Sequence, residues 1–464
     1  MADEQESSTD IFQDLDSLVW GPNVKEEVFQ RWTRGFIFSP DEPTALVQEQ
    51  GGPCAVIAAV QAYMLKNILF CDGTDASSTD WKHLSDDQTK NILVCTLCQM
   101  LQMAKEEDDS IISLVLLRDH MLSNLKEHSS IETDDGTSTC RNSESPQYHK
   151  SVCEQQLKHQ SNKETINLLS QTQCNSSSEA RSLIERNIHI FEGHFGILLF
   201  LYSMILTRGI STIKDEMGDP GEPLVDENFG FGSQTLINLL MTGQAVSNVW
   251  NLSKEVSGLE LKGIAKQSQV GFLTLLEAHR YCEVGSFLKF PIYPIWLLGS
   301  ETHITVLFST NQSLSGPESP KEEAQRVFKS FDEQENGFIE SDKLTDVLHK
   351  LGLETDPEYV TFMKSRLDPD SIGIILLPNF MDEFFPGEST SQWTGPFTVY
   401  HYNGLGVKQS DSQLPRKVMY SEGIACIEPT DLSHIAEEEI ISCLKTKWTG
   451  ITVTWHSKYP PSVN

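Results

Sequence analysis

Apolar residues fill residues 54–70 (CAVIAAVQAYMLKNILF) so completely that the helix they predict is buried all round, not along one stripe. A second apolar run, residues 197–206 (ILLFLYSMIL), is about half of the roughly 20 residues that span a bilayer, so it is expected as a core helix. Helical and short extended patterns alternate through residues 232–250 and 270–281. Residues 295–298 (IWLL) and 303–308 (HITVLF) are β-branched and apolar, and only GSET separates them, which predicts a β-hairpin. Residues 397–402 (FTVYHY) have the same strand composition and end at Asn403-Gly404. Residues 126–183 are rich in Ser, Thr, Asn, Gln, Glu and Lys with almost no aromatic residue. They are expected to be a disordered insertion, because they bury too little surface to offset their ordering entropy.

Between the predicted strands lies a helical block with two loops of related design, residues 332–343 (DEQENGFIESDK) and 368–379 (DPDSIGIILLPN). Both resemble EF-hand loops, with Asp first, Gly sixth (Gly337, Gly373) and Ile eighth (Ile339, Ile375). The twelfth position, normally a bidentate Glu, is Lys343 in one and Asn379 in the other, and Ile372 stands at the fifth position of the second. Calcium is therefore not expected, and the block reads as structural or partner-binding. The chain thus divides into three parts of one main domain at residues 1–125, 184–312 and 391–464, the polar insertion at 126–183 and the helical block at 313–390.

A length of 464 residues exceeds the size at which one core stops growing. A formal net charge of −31 disfavours nucleic acid and anionic membranes as partners and favours proteins with basic faces. The first sixteen residues are acidic and polar, unlike a secretory signal, so an intracellular protein, nuclear or cytoplasmic, is expected. The cysteines are scattered and read as free thiols. Cys95 and Cys98 have no second pair at metal-ligand spacing and are expected in the core, with no metal or cofactor. Cys140, Cys153 and Cys174 fall in the polar insertion and are expected to be exposed.

The candidate chemistry is at Cys54. Gln48-Glu49-Gln50-Gly51-Gly52-Pro53 is a flexible loop that opens onto the apolar helix. Cys54 thus sits in the first turn, where unpaired amides and the helix dipole stabilise an anion. A nearby cationic histidine would lower the thiol pKa further, as in thiol proteases. Gln48 stands six residues before Cys54, the spacing at which papain-like enzymes carry an oxyanion-donating amide. The bland alternative is a small apolar cysteine at a helix start. His303, opening the second hairpin strand, is the candidate base, with His401 as runner-up. Asn403 is the candidate third member, or else a turn residue with positive φ.

Residues 48–58 (QEQGGPCAVIA), 299–308 (GSETHITVLF) and 235–250 (TLINLLMTGQAVSNVW) resemble the MINDY deubiquitinases, and the helical block resembles that of the family's third, EF-hand-like-containing branch. The resemblance implies a papain-like α+β fold that hydrolyses isopeptide bonds in polyubiquitin, with a preference for the linkage that marks proteins for the proteasome. It carries the family's nucleophile onto Cys54, its histidine onto His303 and its oxyanion glutamine onto Gln48. A catalytically silent ubiquitin-binding or scaffold protein is the alternative. Retention of all three residues weighs against it.

Overall fold

The computed structural model describes residues 2–48, 51–70, 80–105, 111–118, 161–256, 258–316, 319–332, 336–386, 395–405, 417–427, 438–457 and 460–464. Its centre is a six-stranded mixed sheet. In spatial order the strands are Ile451–Trp455, Ser421–Ile427, Phe397–Tyr402, Ile304–Phe308, Ile295–Gly299 and Gly271–Thr274. All neighbours are antiparallel except the last pair, which is parallel. The expected hairpin is present, with Ile295 opposite Phe308 and Gly299 opposite Ile304.

Both faces of this sheet are covered, which is why its central strands read as continuous apolar runs. Period-two alternation sends Ile295, Leu297, Val306 and Phe308 into the large core built on the helices. Trp296, Leu298, Leu307 and Val399 point the other way, into a second core with Ile440, Cys443 and Leu444 of the helix Glu439–Lys445. The helix Cys54–Phe70 lies in the large core and is buried along nearly its whole length. It packs on the strands Ile295–Gly299 and Ile304–Phe308 and on the helices Asp86–Ala104 and Gln234–Thr242. The helix Asp86–Ala104 starts at a capping box in which Ser85 and Gln88 satisfy each other's backbone amides, and acidic Asp86 and Asp87 face the positive end of its dipole. Cys98 of this helix is buried in the same core.

The second apolar run forms the helix Gly196–Arg208, almost wholly buried. No single helix among the described residues is long and apolar enough to cross a membrane.

The expected disorder of residues 126–183 is corrected over its second part. Residues 161–183 contain the short helix Asn162–Ile166, the strand Leu169–Cys174 and the first turns of the helix Ser177–Arg186. The strand is polar in sequence, but it finds an all-buried partner, Ile112–Leu117, and six residue pairs form the antiparallel ladder. Its two buried ends, Leu169 and Cys174, join the large core. Cys174 is therefore buried, not exposed as its polar neighbours suggest. Residues 126–160, with Cys140 and Cys153, lie outside the described residues.

Residues 320–385 make two helix–loop–helix units from the helices Pro320–Phe331, Leu344–Lys350, Pro357–Leu367 and Leu377–Phe384. They have a hydrophobic core of their own, centred on Phe328, Leu344, Leu348 and Phe380. The loops pair through the short strands Phe338–Glu340 and Ile374–Leu376, with Ile339 opposite Ile375. Each loop's first Asp turns its carboxylate onto its own backbone: Asp332 accepts from Asn336 and Gly337, and Asp368 from Ile372 and Gly373. The whole block is carried between two adjacent strands of the main sheet, Ile304–Phe308 and Phe397–Tyr402.

Candidate active site

Cys54 begins its helix directly after a loop whose shape is set by Gly52. That residue has φ of +150°, and a Cβ there would come within 3.2 Å of Arg31 Cβ. Gly51 is under no such constraint, since nothing would meet its Cβ. Of the two glycines, only Gly52 is held by geometry.

Gln48 is positioned by a line of hydrogen bonds along residues 44–48. Buried Gln61, an amide among the apolar side chains of the helix Cys54–Phe70, accepts from Leu46 N at 2.7 Å. Its Nε2 donates to Thr44 O at 3.0 Å and to Tyr420 Oη at 3.1 Å. From the sheet side, Tyr402 Oη donates to Leu46 O at 2.6 Å, and Gln48 N donates to Gly404 O at 2.9 Å. The segment is thereby pinned between helix and sheet, and Gln48 is buried beside the turn that follows Asn403.

His303 sits at the mouth of the hairpin. Its backbone is closed into a tight turn by Ser300, whose N and Oγ both donate to His303 O and whose Oγ accepts from His303 N at 3.0 Å. Its Nε2 lies 2.9 Å from the carbonyl oxygen of Asn403. A carbonyl only accepts, so Nε2 carries the proton and the basic lone pair is on Nδ1. Burial pulls the imidazole below its ordinary pKa, opposed by the bonds to Asn403.

The Cys54 thiol meets this histidine's strand: the backbone N–H of Ile304, the residue after His303, points at it, together with those of Ala55 and Cys54. The sequence reading expects a low-pKa thiol, but burial pushes it up to about 11 despite these three donors. The helix start and its amides are present, yet removal from water outweighs them. The resting pair is therefore a neutral thiol and a neutral imidazole.

Asn403 is adjacent to His303 and acts on it through its backbone carbonyl and, more weakly, through its side chain, whose Nδ2 is also directed at Ser462 O, 2.8 Å away. The positive φ belongs to Gly404, at +79°, where a Cβ would lie 2.8 Å from Tyr402 Oη. His401, the alternative base, lies inside the sheet opposite Leu307, with Nε2 2.9 Å from Thr305 Oγ1. Burial, with the nearby His303 adding to it, pushes His401 down to about 3, so it stays neutral. The contributions of Ile304 N and Asn403 O were not legible in the sequence, because every residue carries the same backbone groups. Gln61 was missed in the sequence although a signal was there: an amide in a helix apolar all round needs buried partners. Among the described residues, no group of three or more His, Cys, Asp or Glu side chains is arranged to hold a metal.

Residues 17–334 match the family model described as "Deubiquitinating enzyme MINDY-3/4, conserved domain". The chain belongs to the MINDY family. It is 43% identical over 465 residues to the ubiquitin carboxyl-terminal hydrolase MINDY-3 of Homo sapiens, covering 98% of this chain and 100% of that one. The MINDY-3 homolog of Drosophila melanogaster is 39% identical over 481 residues, covering 99% of this chain and 84% of its own. The probable ubiquitin carboxyl-terminal hydrolase MINDY-4 of Mus musculus is 32% identical over 275 residues, 58% of this chain and 32% of its own. No solved structure matches. The span of the MINDY model takes in Gln48, Cys54 and His303, whereas His401, Asn403 and the helix Glu439–Lys445 lie beyond it.

Proposed function

We propose that this MINDY family member is a thiol-dependent ubiquitin carboxyl-terminal hydrolase of papain-like design that cleaves isopeptide bonds in polyubiquitin. The observation that carries the reading is the bond of the Cys54 thiol to the backbone N–H of Ile304, the residue that follows His303, whose imidazole Nε2–H is tied to Asn403 O. As the isopeptide carbonyl approaches, His303 Nδ1 takes the thiol proton and the sulfur adds to the carbonyl carbon. Gln48 and the Cys54 backbone N–H supply the donors for the resulting oxyanion. The imidazolium then protonates the departing lysine amine, leaving a thioester that water hydrolyses with His303 again acting as base.

The partner is ubiquitin, in keeping with the names of the relatives and with a net charge of −31 that favours a basic protein face. A preference for the proteasome-targeting linkage follows from the family resemblance. The helical block is read as an EF-hand-like pair without calcium, since Lys343 and Asn379 stand where a bidentate carboxylate is needed.

The high thiol pKa also fits a silent ubiquitin-binding relative, and one experiment separates the two. Ubiquitin carrying a thiol-reactive group at its C-terminus is expected to form one adduct, mapped by peptide mass to Cys54. Binding without an adduct would favour the silent reading. Gln48→Ala is expected to lower kcat by roughly 10²–10³ with little change in KM, the usual loss on removing one oxyanion donor. Steady-state kinetics on a fluorogenic ubiquitin amide checks this, and an unchanged kcat would remove Gln48 from the mechanism.

A further inference from the structure

Residues 462–464 lie against both residues that flank His303 in space. Asn403 Nδ2 donates to Ser462 O at 2.8 Å and, more weakly, to Asn464 O at 3.4 Å. The carbonyl of the same Asn403 takes His303 Nε2. Thr302, the residue before His303, donates its hydroxyl to Asn464 Oδ1 at 3.3 Å, and Asn464 Nδ2 donates to Glu439 Oε2 at 2.8 Å. Val463, between these two polar residues, is only 1% exposed and belongs to the core that contains Leu307, Val399 and Ile440. Ser462 Oγ and Asn464 close the turn, the hydroxyl accepting from Asn464 N at 3.0 Å and donating to Asn464 O at 2.8 Å.

This arrangement matters because Asn403 lies past the end of its ladder. The pairing of Phe397–Tyr402 with the histidine strand stops at Tyr402 opposite Val306, and Gly404 then turns the chain away. Among the described residues no strand partner continues the ladder at Asn403; Gln48 N holds the next carbonyl, Gly404 O, and Asn403 Oδ1 accepts from Leu405 N at 3.2 Å, yet it is the Asn403 carbonyl that sets the direction of the imidazole. Its side-chain amide is the tether, and residues 462–464 are what it is tied to.

We propose that residues 462–464 are a positioning strap for His303, acting through the side-chain amide of Asn403. The proposal rests on the reading of His303 as the general base. When the strap is absent, the Asn403 carbonyl is held less firmly, by the Gly404 and Leu405 bonds alone, and the imidazole spends less time aligned with the Cys54 thiol. Substrate binding is unaffected, so the loss falls on kcat. A small misplacement of a reacting group lowers rate by up to about a hundredfold.

The test is a double-mutant cycle on the full protein, with a fluorogenic ubiquitin amide as substrate. Removal of residues 462–464 and Asn403→Leu are each expected to lower kcat ten- to a hundredfold with KM within about twofold. The two together should be no worse than Asn403→Leu alone. The peptide Pro-Pro-Ser-Val-Asn at millimolar concentration should restore part of the activity of the shortened protein and none of that of Asn403→Leu. Losses that multiply, or a lowered melting temperature with kcat unchanged, would leave only a packing role for Val463 and overturn the strap. Should the shortened chain fail to fold, Asn403→Leu decides alone, because it removes the N–H donor while Ser462–Asn464 stay in place: kcat lowered ten- to a hundredfold with KM held supports the strap, and a wild-type kcat overturns it. His303→Ala is the control: if it keeps wild-type kcat, the base assignment fails; if it is inactive while the shortened protein is fully active, the strap fails.

Discussion

Replacing Cys54 with alanine is expected to abolish cleavage of polyubiquitin while the protein stays folded and still binds ubiquitin. Deleting one buried heavy atom costs about 0.5–1.5 kcal/mol, a small part of the roughly 5–15 kcal/mol that holds a typical domain together. The helix start is fixed by other means, through Gly52, Pro53 and the buried face of Cys54–Phe70, so the loop has no reason to move. The chemical loss is total by contrast, since in the proposed mechanism the sulfur is the atom that forms the thioester and a methyl group has no lone pair to offer. Gel assays of chain cleavage, run beside a thermal melt and a ubiquitin-binding titration, separate the two effects. A folded Cys54→Ala protein that cleaves chains at the wild-type rate would sink the mechanism.

His303→Ala should be nearly as damaging, for a reason the resting thiol supplies. With its pKa pushed up to about 11, Cys54 is thiolate in roughly one molecule in 10⁴ at pH 7, so the proton must be taken by a base as substrate arrives. Without the imidazole a loss of about 10²–10⁴ in kcat is expected, and the Cys54→Ala, His303→Ala double mutant should be scarcely worse than Cys54→Ala alone. The residual activity of His303→Ala should climb about tenfold per pH unit between pH 7 and 9. Below its pKa the thiolate fraction rises in that proportion, and nothing else supplies the nucleophile. The parallel variant His401→Ala should not show that slope, because His401 is neutral throughout and bonded to Thr305 inside the sheet. A flat profile for His303→Ala, or a steep one for His401→Ala, would reassign the base.

Much of this was readable because the decisive segments are extreme. A helix with almost no polar face and a hairpin of β-branched residues leave few alternatives for where they go, and both were found at their expected places. The strand Leu169–Cys174 escaped notice because its own residues, LSQTQC, bury little. Its order is supplied by Ile112–Leu117, distant in sequence, and a local pattern carries no record of a partner. The elevated thiol pKa was missed for a related reason: a helix start advertises its amides, whereas the depth at which it is buried depends on everything packed over it. Asn403 was found by residue type, and it meets His303 through its side chain as well as through a carbonyl that any residue would have provided.

The carriage of the helical block between the His303 strand and the Asn403 strand also fixes when the enzyme can first act. During synthesis Cys54 leaves the ribosome some 350 residues ahead of Asn403, which at about 5–20 residues per second is on the order of tens of seconds. Throughout that interval the nucleophile helix can be formed, but the strand Phe397–Tyr402 that completes the imidazole's surroundings does not yet exist outside the ribosome. On the mechanism proposed here, a nascent chain is thus a hydrolase without a finished active site, unable to trim ubiquitin attached to itself or to its neighbours until Asn403 has been made.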